Sequence, residues 1–328
     1  MDASEHGTFA TNGITMRYVS HGSGPLVLFC HGFPESWYSW RYQLPAVADA
    51  GYRAVALDMR GYGGTSKPND LNAYSLSHLI GDVVGAVGAL GESQAVIVGH
   101  DWGGPVAWYS ALMRPDIFRA IAALSAPYQP PVGALSDGRT LEGIMAATYA
   151  GQGYYRMFFQ EPGVAEADFE ADVACSMAGF LYAISGDIVA DGIAERCWDG
   201  TFPADQTVSQ QLITPKQLPA WLSQTDLDFY VAEATTNGFR GGLNWYRNMN
   251  ALPAILSPFV GATIRQPAFY QAGSLDVIAG NTPKAIDTMQ RSVPDLRHCE
   301  LIAGAGHWLQ QERHTAVNDA LITFLNGL

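Results

Sequence analysis

The chain has 328 residues, enough for one large α/β unit or for a core that carries a smaller insert. With 48% hydrophobic and 15% charged residues, it has the composition of a globular protein and not of a disordered one. The formal net charge of −13 argues against nucleic acid and anionic lipid as partners, because an acidic surface repels phosphate groups.

The sequence also lacks the usual signals for export and membrane insertion. Residues 1–13 are polar, and no stretch approaches the roughly 20 apolar residues of a membrane span. The four cysteines lie far apart and form no C-x-x-C pair, which favours buried, reduced thiols over a disulfide framework. We therefore expect a cytoplasmic protein that does not associate with membranes.

Short apolar runs rich in β-branched residues alternate with segments long enough for crossover helices, a rhythm that predicts a parallel sheet. After an antiparallel edge hairpin that includes Ile14 to Val19, the predicted strands are, in chain order, Pro25 to Cys30, Arg53 to Leu57, Ala95 to Gly99, Ile121 to Leu124, Ala268 to Ala272 and His298 to Ile302. Residues Arg313 to Leu325 have apolar positions at helical spacing and predict a closing helix.

The strand rhythm is lost between about Gln129 and Leu252, where several helical patterns and many tyrosines occur without a clear strand. Prolines lie close to both ends of this segment, as expected where helices stop and the chain turns. We interpret residues 129–251 as an inserted helical cap domain. The core is then discontinuous and consists of residues 1–128 and 252–328.

The most informative stretch is VIVGHDWGGPVA at residues 96–107, which predicts a buried strand, a residue framed by glycines and a helix. The elbow pattern G-x-Nuc-x-G needs small residues two positions before and after the nucleophile, because the strand and helix backbones nearly touch there. Gly99 and Gly103 meet this requirement and place Asp101 at the nucleophile position. An aspartate before a helix is more commonly an N-cap, but a cap leaves the two glycines unexplained.

An aspartate at this position changes the chemistry expected of the elbow. A carboxylate is already an anion at neutral pH and needs no base in order to attack. Attack on an sp³ carbon displaces a leaving group and leaves an ester on the enzyme, which a histidine can hydrolyse by activating water. Asp101 thus predicts a hydrolysis in two steps.

Three further motifs accompany the elbow: HGFP at residues 31–34, DMRGYG at 58–63 and GHW at 306–308. With the elbow, they resemble the epoxide hydrolases of the α/β-hydrolase superfamily. Related dehalogenases share the H-G-x-P and D-W-G-G pieces, but the order and spacing of the motifs extend the resemblance over nearly the whole chain. The resemblance implies the α/β-hydrolase fold, a mostly parallel sheet flanked by helices with an inserted helical cap, and an enzyme that hydrolyses epoxides.

The base is expected in a loop after the last predicted strand, where His307 lies in AGAGHW. Imidazole can take a proton from water at neutral pH when a carboxylate accepts from its other ring nitrogen. Asp276 matches the acid position of the family and gives the chain order nucleophile, acid, histidine. His298 and His314 are expected at the surface, and His100 is expected to pack beside the elbow.

Hydrolysis of an ester on Asp101 creates an oxyanion on that side chain, which two backbone N–H donors would stabilise. We expect these donors to be the amides of Phe33 and Trp102, and the Phe33 ring needs no role beyond packing. A cis Phe33–Pro34 bond is compatible with the HGFP loop but does not follow from the sequence.

Opening an epoxide expels a strongly basic alkoxide, so the site needs a donor that stays protonated at neutral pH, as tyrosine does. The contexts of Tyr155, in GYYRMFFQEPG, and Tyr246, in LNWYRN, resemble those of the paired cap tyrosines of the family. Either tyrosine alone would more often be a packing residue, and Tyr154 is the adjacent alternative to Tyr155. The pair predicts that both hydroxyls polarise the epoxide oxygen.

Two alternatives stay open on the sequence alone. One is a haloalkane or haloacid dehalogenase, which uses the same Asp and His but holds a halide; the other is a non-catalytic binding protein of this fold. Phe33 lacks the side-chain amide that many haloalkane dehalogenases place after H-G, and Trp102 stands where the fluoroacetate type usually has Arg. We expect an apolar epoxide and water as partners, with no cofactor and no metal. The preferred epoxide and the oligomeric state stay open, a homo-oligomer included.

Overall fold

The large sheet that was predicted is present in the computed structural model, which describes residues 4–132, 139–278 and 280–328. The described residues form an eight-stranded sheet with the order β1-β2-β4-β3-β5-β6-β9-β10 and a small sheet of β7 and β8. Strand β2 pairs antiparallel with β1 on one side and with β4 on the other, and the remaining neighbours in the large sheet pair parallel. The strands are β1 (Glu5–Thr11), β2 (Ile14–His21), β3 (Leu26–Cys30), β4 (Arg53–Leu57), β5 (Ala95–His100), β6 (Phe118–Leu124), β7 (Gly153–Tyr154), β8 (Thr201–Phe202), β9 (Ala268–Gly273) and β10 (Leu296–Ile302).

Helices connect and flank these strands. The α-helices in the described residues are α1 (Gln43–Asp49), α2 (Leu76–Ala89), α3 (Gly103–Met113), α4 (Leu141–Thr148), α5 (Tyr155–Phe158), α6 (Val164–Glu170), α7 (Val173–Ala183), α8 (Asp187–Ala190), α9 (Gln224–Asn237), α10 (Arg240–Arg247), α11 (Leu252–Leu256), α12 (Pro283–Ser292), α13 (Leu309–Glu312) and α14 (His314–Asn326). Short 3-10 helices occur at Trp37–Trp40, Leu71–Tyr74, Ser209–Gln211, Met249–Ala251 and Ser257–Phe259. None of the described helices has both the length and the apolar character that a bilayer crossing requires.

Each face of the large sheet is covered by helices and has its own hydrophobic core. On one face, Leu44 of α1 and Leu321 of α14 pack with strand residues such as Phe29. On the other face, α2 and α3 contribute Val83 and Trp108 to a second core. Strands β3 and β5 are buried along their whole length, as expected of parallel strands covered on both sides.

The predicted fold is confirmed, and the strand bounds differ by only a few residues. β6 begins at Phe118 instead of Ile121, because its pairing with Ala95 starts before the apolar run. The edge hairpin consists of β1 and β2, which pair antiparallel over seven residue pairs. The predicted closing helix is α14.

Helices α4 to α10 lie in the part of the chain interpreted as an insert, and α11 begins directly after it at Leu252. The expectation that this segment contains no strand was wrong, since β7 pairs with β8 through Gly153 with Phe202 and Tyr154 with Thr201. Strands of two residues are too short to produce the alternating pattern by which strands are predicted. The domain boundaries at residues 129 and 251 stay a prediction.

The four cysteines are free thiols, but only Cys30 and Cys197 are buried, so the expectation of four buried thiols was wrong for Cys175 and Cys299. Cys175 lies in the first turn of α7. Cys299 lies on β10, the last strand of the large sheet, where the predicted apolar run is largely exposed.

The order of the strands places a ligand site at one edge of the sheet. β4 lies on one side of β3 and β5 lies on the other. The chain therefore adds strands on one side of β3 and then on the opposite side, and the switch point lies between β3 and β5. In open α/β sheets, ligands bind outside the carboxyl ends of the strands at such a point. Phe33 follows β3 and Asp101 follows β5, which brings two of the predicted site residues to this place.

Candidate active site

Asp101 lies in the turn between β5 and α3, and its φ of 49° is in the left-handed region. Residues other than glycine rarely adopt this conformation, which costs on the order of 1–3 kcal/mol. The turn is tight, since a Cβ on Gly99 would lie 2.0 Å from the carbonyl oxygen of Gly103, and one on Gly103 would lie 2.0 Å from that of Cys30. The strand, the strained turn and the helix are therefore arranged as the elbow pattern predicts.

The carboxylate of Asp101 contacts the loop after β3. Its Oδ1 accepts a hydrogen bond from the backbone N–H of Phe33 at 2.9 Å. The loop comes this close because residue 32 is glycine; a Cβ on Gly32 would lie 2.3 Å from the Cβ of Asp101. Within the described residues, the Asp101 side chain accepts no hydrogen bond from the first turn of α3, so Asp101 is not an N-cap of that helix.

The two predicted oxyanion donors differ in their contact with the Asp101 carboxylate. The amide of Phe33 donates to Asp101, whereas the amide of Trp102 makes no hydrogen bond with that carboxylate in the described part of the chain. The indole ring of Trp102 packs edge-on against Tyr246, with the ring centroids 5.1 Å apart. The peptide bond between Phe33 and Pro34 is cis.

His307 lies between two carboxylates. Its Nδ1 is 3.1 Å from Oδ2 of Asp276, and its Nε2 is 3.5 Å from Oδ2 of Asp101. Asp276 follows β9, and the side-chain amide of Asn281 donates to its Oδ2 at 2.8 Å. The backbone N–H of His307 donates to the carbonyl of Ile184 at 2.8 Å, so the loop that carries the imidazole is held by the segment after α7.

The charges of these groups are coupled. Burial alone would lower the pKa of His307, but the charges and hydrogen bonds of Asp276 and Asp101 raise it to about 10. Burial alone would raise the pKa of Asp101, but the hydrogen bond and charge of His307 bring it below its usual range. At neutral pH, therefore, His307 is an imidazolium and Asp101 is a carboxylate.

Two cavities meet at Asp101. The larger has a volume of about 150 Å³, and its lining includes Asp101, Tyr155, Arg156 and Tyr246 among mostly apolar and aromatic side chains. The smaller has a volume of about 30 Å³ and is lined by the same Asp101, Tyr155 and Tyr246 together with His307. Asp101 thus faces two compartments, and His307 lines only the smaller one.

The two predicted tyrosines lie close together above Asp101. Tyr155 begins α5 and Tyr246 lies in α10, and their ring centroids are 5.9 Å apart. Both side chains are buried, and burial raises the pKa of both hydroxyls, so they stay protonated at neutral pH. Tyr154, the alternative to Tyr155, stacks on Tyr149 at a centroid distance of 3.8 Å and lines neither cavity.

The competing histidines do not enter the cavities. His298 lies on β10 and His314 begins α14; both are partly exposed. His100 packs beside the elbow as expected, but it does so through hydrogen bonds, one of which runs from its Nε2 to the carbonyl oxygen of His307 at 2.8 Å.

Sequence reasoning missed two buried carboxylates that support these residues. Oε2 of Glu35 is 2.6 Å from Nδ1 of His100 and accepts from the backbone N–H of Gly32 at 3.0 Å. Glu312 accepts from the backbone N–H groups of Gly306 at 2.8 Å and Trp308 at 3.0 Å, on either side of His307. Neither glutamate has a spacing that predicts these contacts, although Glu35 directly follows the HGFP motif.

The sequence matches one family model and is similar to proteins named epoxide hydrolases. Residues 25–313 match the sequence model of the family described as alpha/beta hydrolase fold. The chain is 39% identical over 322 residues to Epoxide hydrolase A of Mycobacterium tuberculosis, covering 97% of this chain and 96% of that protein. It is 38% identical over 331 residues to Epoxide hydrolase 1 of Siraitia grosvenorii, covering 99% of each chain.

Solved structures give the same result in three dimensions. An epoxide hydrolase from an endophytic Streptomyces superposes with a TM-score of 0.93 at 40% identity, covering 100% of this chain and 96% of that one. The crystal structure of Epoxide Hydrolase A from Mycobacterium thermoresistibile superposes with a TM-score of 0.88 at 38% identity, covering 99% of each chain.

Proposed function

The chain belongs to the epoxide hydrolases of the α/β-hydrolase fold, and from this premise we propose that it converts small or medium apolar epoxides to vicinal diols through a covalent ester on Asp101. One observation carries the proposal. Asp101 lines a cavity with two buried tyrosines and also a second, smaller cavity with His307. This arrangement suits a two-step reaction, in which the carboxylate of Asp101 first reacts with an epoxide and the resulting ester then reacts with water.

In the first step, an oxygen of Asp101 attacks a carbon of the oxirane ring. A C–O bond to the enzyme forms, the ring C–O bond breaks, and the released alkoxide takes a proton from a tyrosine. Tyr155 and Tyr246 are the donors, since both line the larger cavity with Asp101 and both remain protonated at neutral pH. The strained turn supports this step because it holds the carboxylate between β5 and α3.

In the second step, water attacks the carbonyl carbon of the ester. Esterification removes the negative charge of Asp101, which is one of the two charges that raise the pKa of His307, so the imidazolium can give its proton to the tyrosinate left by the first step. The neutral imidazole then takes a proton from the attacking water. The smaller cavity, at about 30 Å³, has room for a water molecule beside His307. Asp276 fixes the orientation of the ring by accepting from Nδ1.

The ester carbonyl becomes an oxyanion as water adds. The amide of Phe33 already donates to Oδ1 of Asp101 and is the first donor to that oxyanion. We assign the second donor to the amide of Trp102, which directly follows Asp101 in the elbow. As the intermediate collapses, the bond between the carboxyl carbon of Asp101 and the diol oxygen breaks, and that oxygen takes the second proton of the attacking water. The diol is released, and the Asp101 carboxylate and the His307 imidazolium are restored.

The proposal is tested by stopping the reaction between its two steps. His307→Gln removes the base but leaves Asp101 in place, so incubation with styrene oxide should add the mass of one substrate to the peptide that contains Asp101. The matched control is the double variant Asp101→Asn/His307→Gln, which should show no adduct. An unmodified peptide in the folded single variant, measured by mass spectrometry, would contradict the two-step scheme.

The two alternatives are tested in the same series. The relatives are named epoxide hydrolases, which supports hydrolysis of epoxides over dehalogenation and over a non-catalytic role. A halide-release assay with 1-chlorobutane and 1-bromobutane should give no signal above that of the Asp101→Asn variant. Halide release that exceeds epoxide turnover would favour the dehalogenase.

The proposal extends to the organisation of the chain. Residues 129–251 serve as a cap over a core of residues 1–128 and 252–328, since α5 and α10 carry the two tyrosines that line the cavities with Asp101. The four free thiols are compatible with the cytoplasm as the place of action.

A further inference from the structure

Arg156 lies in the wall of the larger cavity, directly after Tyr155. Its Nε donates a hydrogen bond to the hydroxyl oxygen of Tyr155 at 2.7 Å, and its Cζ is 5.4 Å from the centroid of the Tyr155 ring. One edge of the guanidinium is therefore held by a tyrosine of the active site. The two terminal amino groups are not used in this contact.

Arg156 is only partly buried, and it differs from the two buried arginines because no carboxylate pairs with it in the described residues. Arg60 pairs with Asp82 at 2.6 Å, and Arg247 pairs with Glu166 at 2.7 Å. In the ranges that the structure describes, no carboxylate lies within 4.0 Å of Arg156, and its terminal amino groups make no hydrogen bond. An arginine stays charged at any pH that proteins tolerate, so the terminal amino groups of Arg156 bring a positive charge to the wall of the larger cavity.

The cavity supplies no anion that is free to pair with Arg156. Among the described lining residues, Asp101 is the only carboxylate and Arg156 the only cation. The Asp101 carboxylate already interacts with His307 and with the amide of Phe33. The cavity thus combines apolar walls, a nucleophile and an unpaired guanidinium.

We infer that Arg156 forms an anion subsite, and that this enzyme prefers epoxides that carry a carboxylate close to the oxirane ring. This inference rests on the proposed function and narrows its substrates to otherwise apolar epoxides that carry one carboxylate. The two terminal amino groups of arginine match the two oxygens of a carboxylate, and such pairs are strong and directional. Arg156 is hydrogen-bonded to Tyr155, which would hold the epoxide oxygen. The carboxylate of the substrate must therefore lie only a few bonds from its oxirane ring. A glycidate with an apolar substituent has this form.

The guanidinium also reduces the charge repulsion between Asp101 and an anionic substrate. Attack by the Asp101 anion on a substrate that is itself an anion is opposed by charge repulsion. A carboxylate bound to Arg156 is neutralised, so the nucleophile approaches a substrate with little net charge. The subsite therefore affects reactivity as well as binding.

The turnover experiment compares 3-phenylglycidate with its neutral analogue 3-phenylglycidamide. For the unmodified enzyme we expect a higher kcat/KM for the carboxylate. Arg156→Met should lower the carboxylate-to-amide ratio of kcat/KM by about 10- to 100-fold, and Arg156→Lys should lower it less because it keeps the charge. Arg291→Met is the control, since Arg291 is exposed on α12 and pairs with Asp287 outside the cavities.

The carboxylate-to-amide ratio of kcat/KM distinguishes loss of the anion subsite from effects on Tyr155. Loss of the hydrogen bond to Tyr155 slows both substrates alike, whereas loss of the anion subsite slows only the carboxylate. An equal ratio in Arg156→Met and the unmodified enzyme, or a preference of the unmodified enzyme for the amide, would overturn the inference.

A binding experiment separates the subsite from catalysis. Cinnamate has the carboxylate and the phenyl ring but no epoxide, and calorimetry should show that it binds more tightly than cinnamamide, with this difference lost in Arg156→Met. If cinnamate shows this selectivity while neither styrene oxide nor 3-phenylglycidate is hydrolysed, the subsite stands and the proposed function fails. If styrene oxide is hydrolysed but cinnamate and cinnamamide bind equally, the proposed function stands and the subsite is refuted.

Discussion

The imidazole of His307 lies within 3.5 Å of the Asp101 carboxylate and within 3.1 Å of the Asp276 carboxylate, and these two anions raise its pKa to about 10. A residue with such a pKa is an acid at neutral pH and not a base. In the proposed reaction it becomes a base only after Asp101 is esterified. The resting state and the intermediate thus differ by one charge next to the same ring.

Asp101→Asn imitates this loss of charge, because an amide is neutral and nearly the same size as a carboxylate. We expect the pKa of His307 to fall from about 10 toward the ordinary range of histidine. NMR titration of the imidazole signals measures this change. Asp295→Asn, at a partly exposed residue that pairs with Arg297, is the control and should leave the titration of His307 unchanged. An unaltered pKa in Asp101→Asn would contradict the proposed coupling.

The two tyrosines are tested by removing their hydroxyls. Tyr155→Phe and Tyr246→Phe should each slow formation of the ester by about 10- to 100-fold, because general acid catalysis contributes roughly 10²- to 10⁴-fold and two donors share it. Rapid-mixing experiments that follow the first turnover measure this step. Tyr154→Phe is the matched control, since Tyr154 stacks on Tyr149 outside both cavities. If ester formation in all three variants is as fast as in the unmodified enzyme, the two tyrosines have no role in ring opening.

At the scale of elements, the elbow between β5 and α3 depends on close backbone contact. Gly99→Ala would place a Cβ 2.0 Å from the carbonyl oxygen of Gly103, and the strand and helix must separate to admit it. We expect the free energy of unfolding to fall by about 3 kcal/mol, at the upper end of the usual cost of overpacking. Urea denaturation measures this loss.

Gly88→Ala is the control for this change. Gly88 lies in α2, and apart from the adjacent helix backbone a Cβ there would have no described atom within 4 Å. Alanine favours a helix over glycine by about 1 kcal/mol, so this variant should be slightly more stable than the unmodified protein. If Gly99→Ala and Gly88→Ala unfold at the same urea concentration, the elbow is not packed as described.

The elements that sequence predicts best are those whose burial is uniform. β3 and β5 are buried on both faces, so their residues form continuous apolar runs that stand out in the sequence. β7 and β8 have two residues each, and their pairing joins segments that are far apart along the chain. No local pattern predicts such a pair.

The same distinction applies to the site. Asp101 and His307 are predicted because the elbow and the GHW motif are local signatures of strand ends. The contact between Glu35 and His100 joins residues 65 positions apart, and the unpaired state of Arg156 depends on which carboxylates fold near it. Contacts of this kind follow from tertiary packing and not from spacing in the sequence.

At the scale of the whole molecule, folding changes the proton affinity of His307. The ordinary pKa of a histidine is about 6.5, whereas the pKa of His307 is about 10 in the folded protein, so the folded state binds the proton more tightly. The resulting stabilisation is fully present below pH 6.5 and is lost as the pH rises through about 10. We expect the free energy of unfolding to fall across this window, on the order of a few kcal/mol.

The contribution of His307 is separated from those of other groups by comparison with His307→Gln. The variant cannot gain a proton at this position, so its stability should change less between pH 6.5 and pH 10. Urea denaturation at several pH values measures both proteins. Parallel curves over this window would show that His307 does not hold a raised pKa in the folded state.

The covalent ester on Asp101 is tested most directly by a single turnover in water labelled with ¹⁸O, with enzyme in excess over an apolar epoxide. Water attacks the ester carbonyl in the proposed reaction, so the label should enter the side chain of Asp101 while the first diol released stays unlabelled. Mass spectrometry of the diol and of the peptide that contains Asp101 distinguishes the two products. Label found in the diol and not in Asp101 would contradict the covalent mechanism.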